Sequence, residues 1–471
     1  MLSTVIEKEI RDIIGTTKFA VIFGACTALI LITFYVGART FQASQSQYEA
    51  AKAENLRQFE GLTDWFNIQS HRVFLPPEPV AALVTGIAND IGRTTEIQGR
   101  GELSAQDSKF NEDPIYAVFR FLDLEFLFQV VLSLFAILLG YDAISGEKER
   151  GTLRLSFANA IPRHVYILGK LLGAGAALIL PLLLALGIGC LLLPLLGVPM
   201  TGTDWGRLVL IIGSGLLYFA LFLSLAIFVS ALTQRSSSSF LLLLAAWIMC
   251  VLIVPRAAVV LAGRAVDVPS VDEIGSQKMR FQMQQFQEDR ENWKNFKPSH
   301  QQDPEATMAE LNRFMEEAAD KRDQKMKEFS ERLNEQRTNK QHEQEQVALG
   351  LARISPAASL SLALTNLAGT SLNLKQHYKE EATAYQEGYA KFMKEKTGSV
   401  PGGRMIVVRS FSDDEKEPEP IDPTEIPEFV YRPLSFAASL AAAGFDIVLL
   451  VLYNFVFFAG AIVAFLRYDV R

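Results

Sequence analysis

The chain has 471 residues, 49% of them hydrophobic and 21% charged, and its net charge of −7 argues against a nucleic-acid partner. Its three cysteines, Cys26, Cys190 and Cys250, all fall inside apolar runs, which excludes a disulfide framework and suits small buried hydrophobes. No phosphate-binding Gly-x-x-x-x-Gly-Lys loop, His-Glu-x-x-His or Gly-x-Ser-x-Gly element occurs, and the five histidines are isolated. No catalytic, cofactor-binding or metal-ligating residue is therefore expected, and the chain is not expected to be an enzyme.

Residues 1–16 predict a cytoplasmic amphipathic helix. Ile6, Ile10, Ile13 and Ile14 share one face, the pattern of a helix lying in a membrane interface. About twenty apolar residues cross a hydrocarbon layer of roughly 30 Å. Six runs reach that length: 19–36, 122–140, 165–196, 208–232, 240–261 and 440–466. Helices satisfy their own backbone polar groups within a bilayer. The expected fold class is all-α, a polytopic membrane protein with six transmembrane helices at 17–38, 118–141, 165–196, 207–232, 239–262 and 438–467. The first run follows basic Lys8, Arg11 and Lys18 but exceeds the apolar core of a signal peptide, so it reads as a retained anchor.

Lysine and arginine in short connections set orientation. Lys8, Arg11 and Lys18, then Lys148, Arg150, Arg154, Arg163 and Lys170, then Arg235, then Arg467 and Arg471, all fall on one side of a six-span arrangement. The opposite short loop, 197–206, has none. Both termini, including a tail at 468–471, are therefore expected in the cytoplasm.

Two long inserts then face outward. The first, 39–117, opens on a helical stripe of Tyr48, Leu56, Phe59, Leu62 and Phe66. The second, 263–434, carries a stripe of Met308, Leu311, Met315, Ala318, Met326, Phe329 and Leu333, then a stretch polar all round. Another stripe follows, Tyr378, Tyr385, Tyr389 and Phe392. Pro298 and Pro304 bracket a break between helices, and the acidic, proline-rich 412–429 reads as an extended linker. Both stripes read as mutual packing. Together the inserts predict one mostly helical extracytoplasmic domain with an antiparallel helical hairpin as its core.

The segment 142–164 is far longer than a reversal of direction requires. It holds Ser145-Gly146-Glu147-Lys148-Glu149-Arg150-Gly151-Thr152-Leu153, then Pro162-Arg163, with Gly169-Lys170 opening the next span. Gly146 and Gly151 permit turns at the ends of a short charged helix, and Glu147, Glu149 and Arg150 offer pairing partners. A solvated loop held by its own ion pairs, each worth under about 1 kcal/mol, is the plainer reading. Gly169-x-x-x-Gly173 permits close helix packing, Pro181 and Pro194 predict kinks, and Pro255 an interruption of the fifth span. Asp123, Glu125 and Asp446 lie near the outer ends of spans, as structural groups or as pathway or interface contacts. Arg353 precedes Ser355, an N-cap, and Pro356, a first helical residue. They start an apolar helix too short to span, read as part of the outer domain's core or as a helix over the exit of a pathway.

The charged segment, with flanking spans in this order, resembles the coupling-helix region of ABC type-2 transporter permeases. In that family S-G-E-[KR]-E-x-G-T-L, a Pro-Arg step and G-K recur. Residues 353–357 and the ending at 457–471 are similar to the subgroup with a large extracytoplasmic insert of unknown function. The resemblance implies an elbow helix at 1–16 and a coupling loop at 142–164. Gly146, Glu147, Glu149, Arg150, Gly151, Thr152 and Arg163 would then meet a cytoplasmic ABC ATPase subunit. It implies no cofactor in this chain, with ATP and Mg on the partner ATPase, and a dimer with a second permease copy or a paralogue in a bacterial inner membrane. Export of an unknown cargo, or force transmitted across the membrane, is the function implied. A non-transport scaffold whose outer helices dock envelope proteins is the alternative. The large insert departs from compact sugar and drug exporters.

Overall fold

A computed structural model of the chain describes residues 2–68, 70–88, 90–98, 103–106, 123–158, 161–295, 304–397 and 420–467. Among the described residues six helices are long and apolar enough to cross a membrane, so the chain is an all-α polytopic membrane protein. An amphipathic helix α1 (Leu2–Ile14) precedes them. The spans are α2 (Thr17–Arg57), α3 (124–140), α6 (Arg163–Leu195), α7 (Gly202–Leu232), α8 (Ser236–Ala265) and α13 (Phe436–Arg467). Between α3 and α6 lie two short helices, α4 (Ser145–Glu149) and α5 (Thr152–Ala158).

The first span is the opening of a longer helix. The Thr16 hydroxyl caps α2 by accepting the Phe19 N–H at 3.1 Å. Beyond residue 38 the sequence stays free of proline and glycine and rich in Ala, Gln and Glu, so nothing stops the helix. Its 41 residues span about 60 Å, roughly twice the hydrocarbon layer. α6 runs through Pro181 and Pro194. In α8 a π-helical turn at Ile248–Ile253 lies just ahead of Pro255, which has no N–H to continue the ladder. α7 is the central helix. Tyr218, Phe219, Phe222 and Ile227 are buried there, against α3 and α13.

By its contacts the chain divides into two units, Met1–Val251 with Pro356–Arg471, and Leu252–Ser355. In the first unit the two inserts meet. An antiparallel sheet of β1 (Ser70–Phe74), β2 (Thr94–Gln98) and β3 (Ser104–Gln106) pairs His71 with Ile97 and Thr95 with Ala105. Against it lies α12 (Asn373–Thr397), whose Tyr385, Tyr389 and Phe392 join Phe59, Ile68, Val73 and Ile97 in one apolar core. The first insert therefore carries strands as well as helix. His71 and Val73 point inward between outward-facing neighbours, a period-two pattern too short to dominate the sequence reading.

In the second unit α9 (Val271–Asn295) and α10 (Pro304–Ala352) form the hairpin. Phe281 stacks on Phe329 with ring centres 4.1 Å apart, Arg322 pairs with Asp289 at 2.8 Å, and Leu333 is buried. α10 is the longer because it also covers Val254–Ala265. Its Gln344 and Arg337 donate to the carbonyls of Val266 and Pro269 at 3.0 and 3.1 Å. The hairpin has a core of its own, and the tyrosine helix α12, not the hairpin, is the core of the domain built from both inserts. Met308, Leu311, Pro298, residues 412–419 of the linker and the tail at 468–471 lie outside the described residues and side chains.

Candidate functional site

Lys170, about two turns into α6, stands at the centre of a buried ionic clasp. Its Nζ lies 2.9 Å from Glu9 Oε2 of α1 and 2.9 Å from Glu147 Oε1 of α4. The Tyr166 hydroxyl donates to the other Glu147 oxygen, and Lys8 approaches Glu147 at 3.8 Å. Lys170, Glu9 and Glu147 are only 4%, 6% and 7% exposed. Burial raises the Glu9 carboxyl above its ordinary range, against the opposing pull of Lys170. α1 can approach this closely because α6 presents glycine. A Cβ at Gly169 would lie 2.6 Å from Val5, and one at Gly173 2.7 Å from Glu9. The Gly169-x-x-x-Gly173 pair is thus the seat of the N-terminal helix.

The rest of the charged segment grips the ends of other spans. The Ser230 hydroxyl near the end of α7 accepts the N–H groups of Ile144 and Ser145 at 3.0 and 2.9 Å. Lys148 Nζ donates to the carbonyls of Ala231 and Thr233, the cation-at-the-C-terminus arrangement that helix ends favour. Glu149 accepts from the Ser236 hydroxyl at the start of α8 at 2.7 Å. Arg163 donates to the Leu466 carbonyl at the end of α13 at 3.0 Å. Gly151, at φ +72°, makes the turn between α4 and α5 that a side chain would strain.

The segment therefore has two sides. Glu147, Ser145 and Gly146 are buried, whereas Glu149, Arg150, Gly151, Thr152 and Arg154 are exposed, with Arg163 half-buried. Glu147, read from sequence with the surface charges, is turned inward. Sequence reasoning passed over Glu9, Tyr166, Lys148 and Lys170 as members of a site. A signal existed: Glu9 falls among Val5, Ile6 and Ile13 on the apolar arc of its helix, and Lys170 interrupts an apolar run. Each charge needs a counter-ion.

At the other end of the spans, Asp123 caps α3, accepting from the N–H groups of Phe126 at 2.8 Å and Thr85 at 3.3 Å. Glu125 accepts from the Ser361 hydroxyl of α11 (Pro356–Ala368), and Gln129 donates to the Ala357 carbonyl at 3.2 Å. α11 is buried along nearly its whole length, packed against α7 and α13. It lies among the apolar helices themselves. Asp446 is fully buried on the α13 stripe that includes Ser439, Ala443 and Leu450. Ser355 and Pro356 are buried and Arg353 half-buried. Asp123 and Glu125 are thus brought together with α11, as anchors of helix ends. Among the described residues no group of three His, Cys, Asp or Glu side chains could hold a metal ion.

The chain is similar to two proteins named "Probable ABC transporter permease protein NosY". That of Stutzerimonas stutzeri is 37% identical over 125 residues, 26% of this chain and 45% of the relative. That of Pseudomonas aeruginosa is 36% identical over 127 residues, with the same shares of 26% and 45%. The chain thus matches less than half the length of these curated relatives. The model of the ABC-2 family of transporter proteins, by contrast, matches residues 3–470, which takes in the clasp, the six spans and both inserts. The chain belongs to the ABC-2 transporter family.

Proposed function

We propose that this chain is the transmembrane permease subunit of an ABC transporter, driven by a separate cytoplasmic ATPase that docks on the exposed side of α4 and α5. The observation that carries the reading is the two-sided coupling segment. Its buried side is tied to α1, α6 and α7 and its flanks reach α8 and α13, so a push on the exposed side has five helices to act on. ATP and magnesium belong to the partner, and a second permease copy or a paralogue completes the transporter. Both termini and the coupling segment face the cytoplasm, consistent with the lysines and arginines gathered there, and the sheet-and-helix domain faces outward. The output is outward movement of a cargo, or force delivered to the outer domain.

The test is co-purification with a cytoplasmic ABC ATPase subunit from the same organism. The double variant Glu149→Lys/Arg150→Glu is expected to lower ATPase stimulation at least tenfold with an unchanged melting temperature. ATP hydrolysis by the purified chain alone, or full stimulation by the double variant, overturns the assignment.

A further inference from the structure

We propose that His71 is an acid-released latch: its neutral ring holds β1 to α12 and to the strap at 421–431 through Tyr385, and its protonation opens that contact. The inference is independent of the coupling assignment above.

His71 sits opposite Ile97 in the sheet and is 4% exposed. Its Nε2 is 2.8 Å from the Tyr385 hydroxyl, and that hydroxyl donates to the Pro427 carbonyl on the strap at 2.6 Å. A phenol has one proton to give. Because Pro427 takes it, Tyr385 accepts from His71, which fixes the neutral ring with its proton on Nε2. Nδ1 is then a bare acceptor, and no hydrogen-bond partner reaches it. The Tyr389 ring lies 4.6 Å away, centre to centre, and its own buried hydroxyl has no partner either. A second proton, on Nδ1, would leave a buried imidazolium with nothing to accept from it.

The charges nearby are engaged elsewhere or turned to solvent. On β1 Arg72 is exposed, and on β2 Glu96 accepts from Ser70 at 2.6 Å. On the strap Asp422 caps Thr424, Glu425 pairs with Lys396 of α12, and Glu428 pairs with Lys52 of α2. On α12 Glu381 is half-buried and Glu387 exposed, and beside the sheet Asp64 caps Phe66. Among the described residues no carboxylate meets the imidazole, and burial pushes it down to about 4. The sign follows. A base whose folded value lies below its ordinary value of about 6.5 keeps its full stabilisation above that value and loses it as pH falls toward 4. The opening constant rises by up to about tenfold per pH unit in that window, about 100-fold between pH 7 and 4.5. The strap leads into α13 at Phe436, so the latch lies at the entry to the last span.

Two measurements on the full chain in nanodiscs decide it. Carbon-13 NMR of the His71 ring, assigned by the signal lost in H71F, should show it staying neutral to below pH 4.5. Hydrogen exchange of peptides covering 70–74, 385–393 and 421–431, corrected for intrinsic rate, should open about 100-fold on going from pH 7 to 4.5. In H71F the rise should be much smaller over the same range, because ordinary carboxyls, at about 3.9–4.3, titrate only at its lower end. A His71 ring that titrates near its ordinary value of about 6.5, or an equal rise in exchange in H71F, overturns the latch.

Discussion

The coupling segment and the α9–α10 hairpin are both rich in charge, and the chain uses that charge in opposite ways. In the segment, Glu147 is almost wholly enclosed with Lys170 of α6 and Glu9 of α1, and the three hold their helices together. In the hairpin, pairs such as Lys325–Glu288 and Lys340–Glu343 stand about half-exposed. Similar letters, Glu and Lys a few residues apart, have different fates because of their flanks. A charged stretch wedged between apolar spans has apolar helices packed against it and must find counter-ions within the protein. A charged stretch on a long solvated helix does not. The energies differ accordingly. Removing one partner of a buried ionic group costs about 3–5 kcal/mol, because a charge is stranded. An exposed pair is worth about 0–1 kcal/mol.

Lys170→Met tests the larger side of the contrast. It leaves Glu9 and Glu147 buried without their cation, and a loss of about 3–5 kcal/mol is expected in detergent unfolding. The triple variant Lys170→Met/Glu9→Gln/Glu147→Gln should recover most of that loss, since no buried charge then lacks a partner. A single variant as stable as the parent chain breaks the comparison, because the clasp would then be no tighter than a surface pair.

Gly173→Ala probes the same clasp through space rather than charge. The new methyl would lie 2.7 Å from Glu9 Cβ and 3.2 Å from the Ile6 carbonyl, so α1 must move outward. A loss of about 1–3 kcal/mol is expected, together with faster hydrogen exchange across residues 2–14. Gly175→Ala on the same helix meets nothing within 4 Å and should stabilise by up to about 1 kcal/mol through helix propensity. Equal effects at the two positions would show that α1 is not seated on the glycine pair.

Much of this architecture is legible in the sequence because it follows from one-dimensional rules. Six apolar runs became six helices, and Ile6, Ile10 and Ile13 marked the amphipathic helix α1. The Ser145–Leu153 pattern marked the charged segment in which Glu147 joins the clasp. What sequence did not reveal is which side of that segment faces inward, since Glu147 and Glu149 differ only in what folds against them: Lys170 and Tyr166 for one, the Ser236 hydroxyl and solvent for the other. The small sheet was hidden for a different reason. Strands of five residues such as Ser70–Phe74 offer two inward positions, too few to outweigh the helical stripe before them. That α12 rather than the hairpin fills the domain core depends on which long-range pairs form, and periodicity is silent on that. It did place Tyr385, Tyr389 and Phe392 on one stripe.

The smallest expected effect lies on the hairpin, and it sharpens the contrast from the other side. Lys340 and Glu343 approach to 2.7 Å with side chains 52% and 55% exposed. Solvent screens their attraction, and ordering two long side chains offsets part of what remains. A double-mutant cycle of Lys340→Ala and Glu343→Ala, read by hydrogen exchange across 304–352 in the full chain, should give a coupling below about 0.5 kcal/mol. That coupling should vanish in 1 M salt, where the screening length falls to about 3 Å. Arg322 marks the intermediate case. It is 19% exposed, pairs with Asp289 at 2.8 Å and lies over the Phe286 ring at 4.9 Å, so Arg322→Ala should cost about 1 kcal/mol or somewhat more and keep part of its effect in salt. A coupling above about 2 kcal/mol at Lys340–Glu343 would mean that this stretch of α10 is covered by something that excludes water. The distinction between enclosed and solvated charge would then fail for the hairpin.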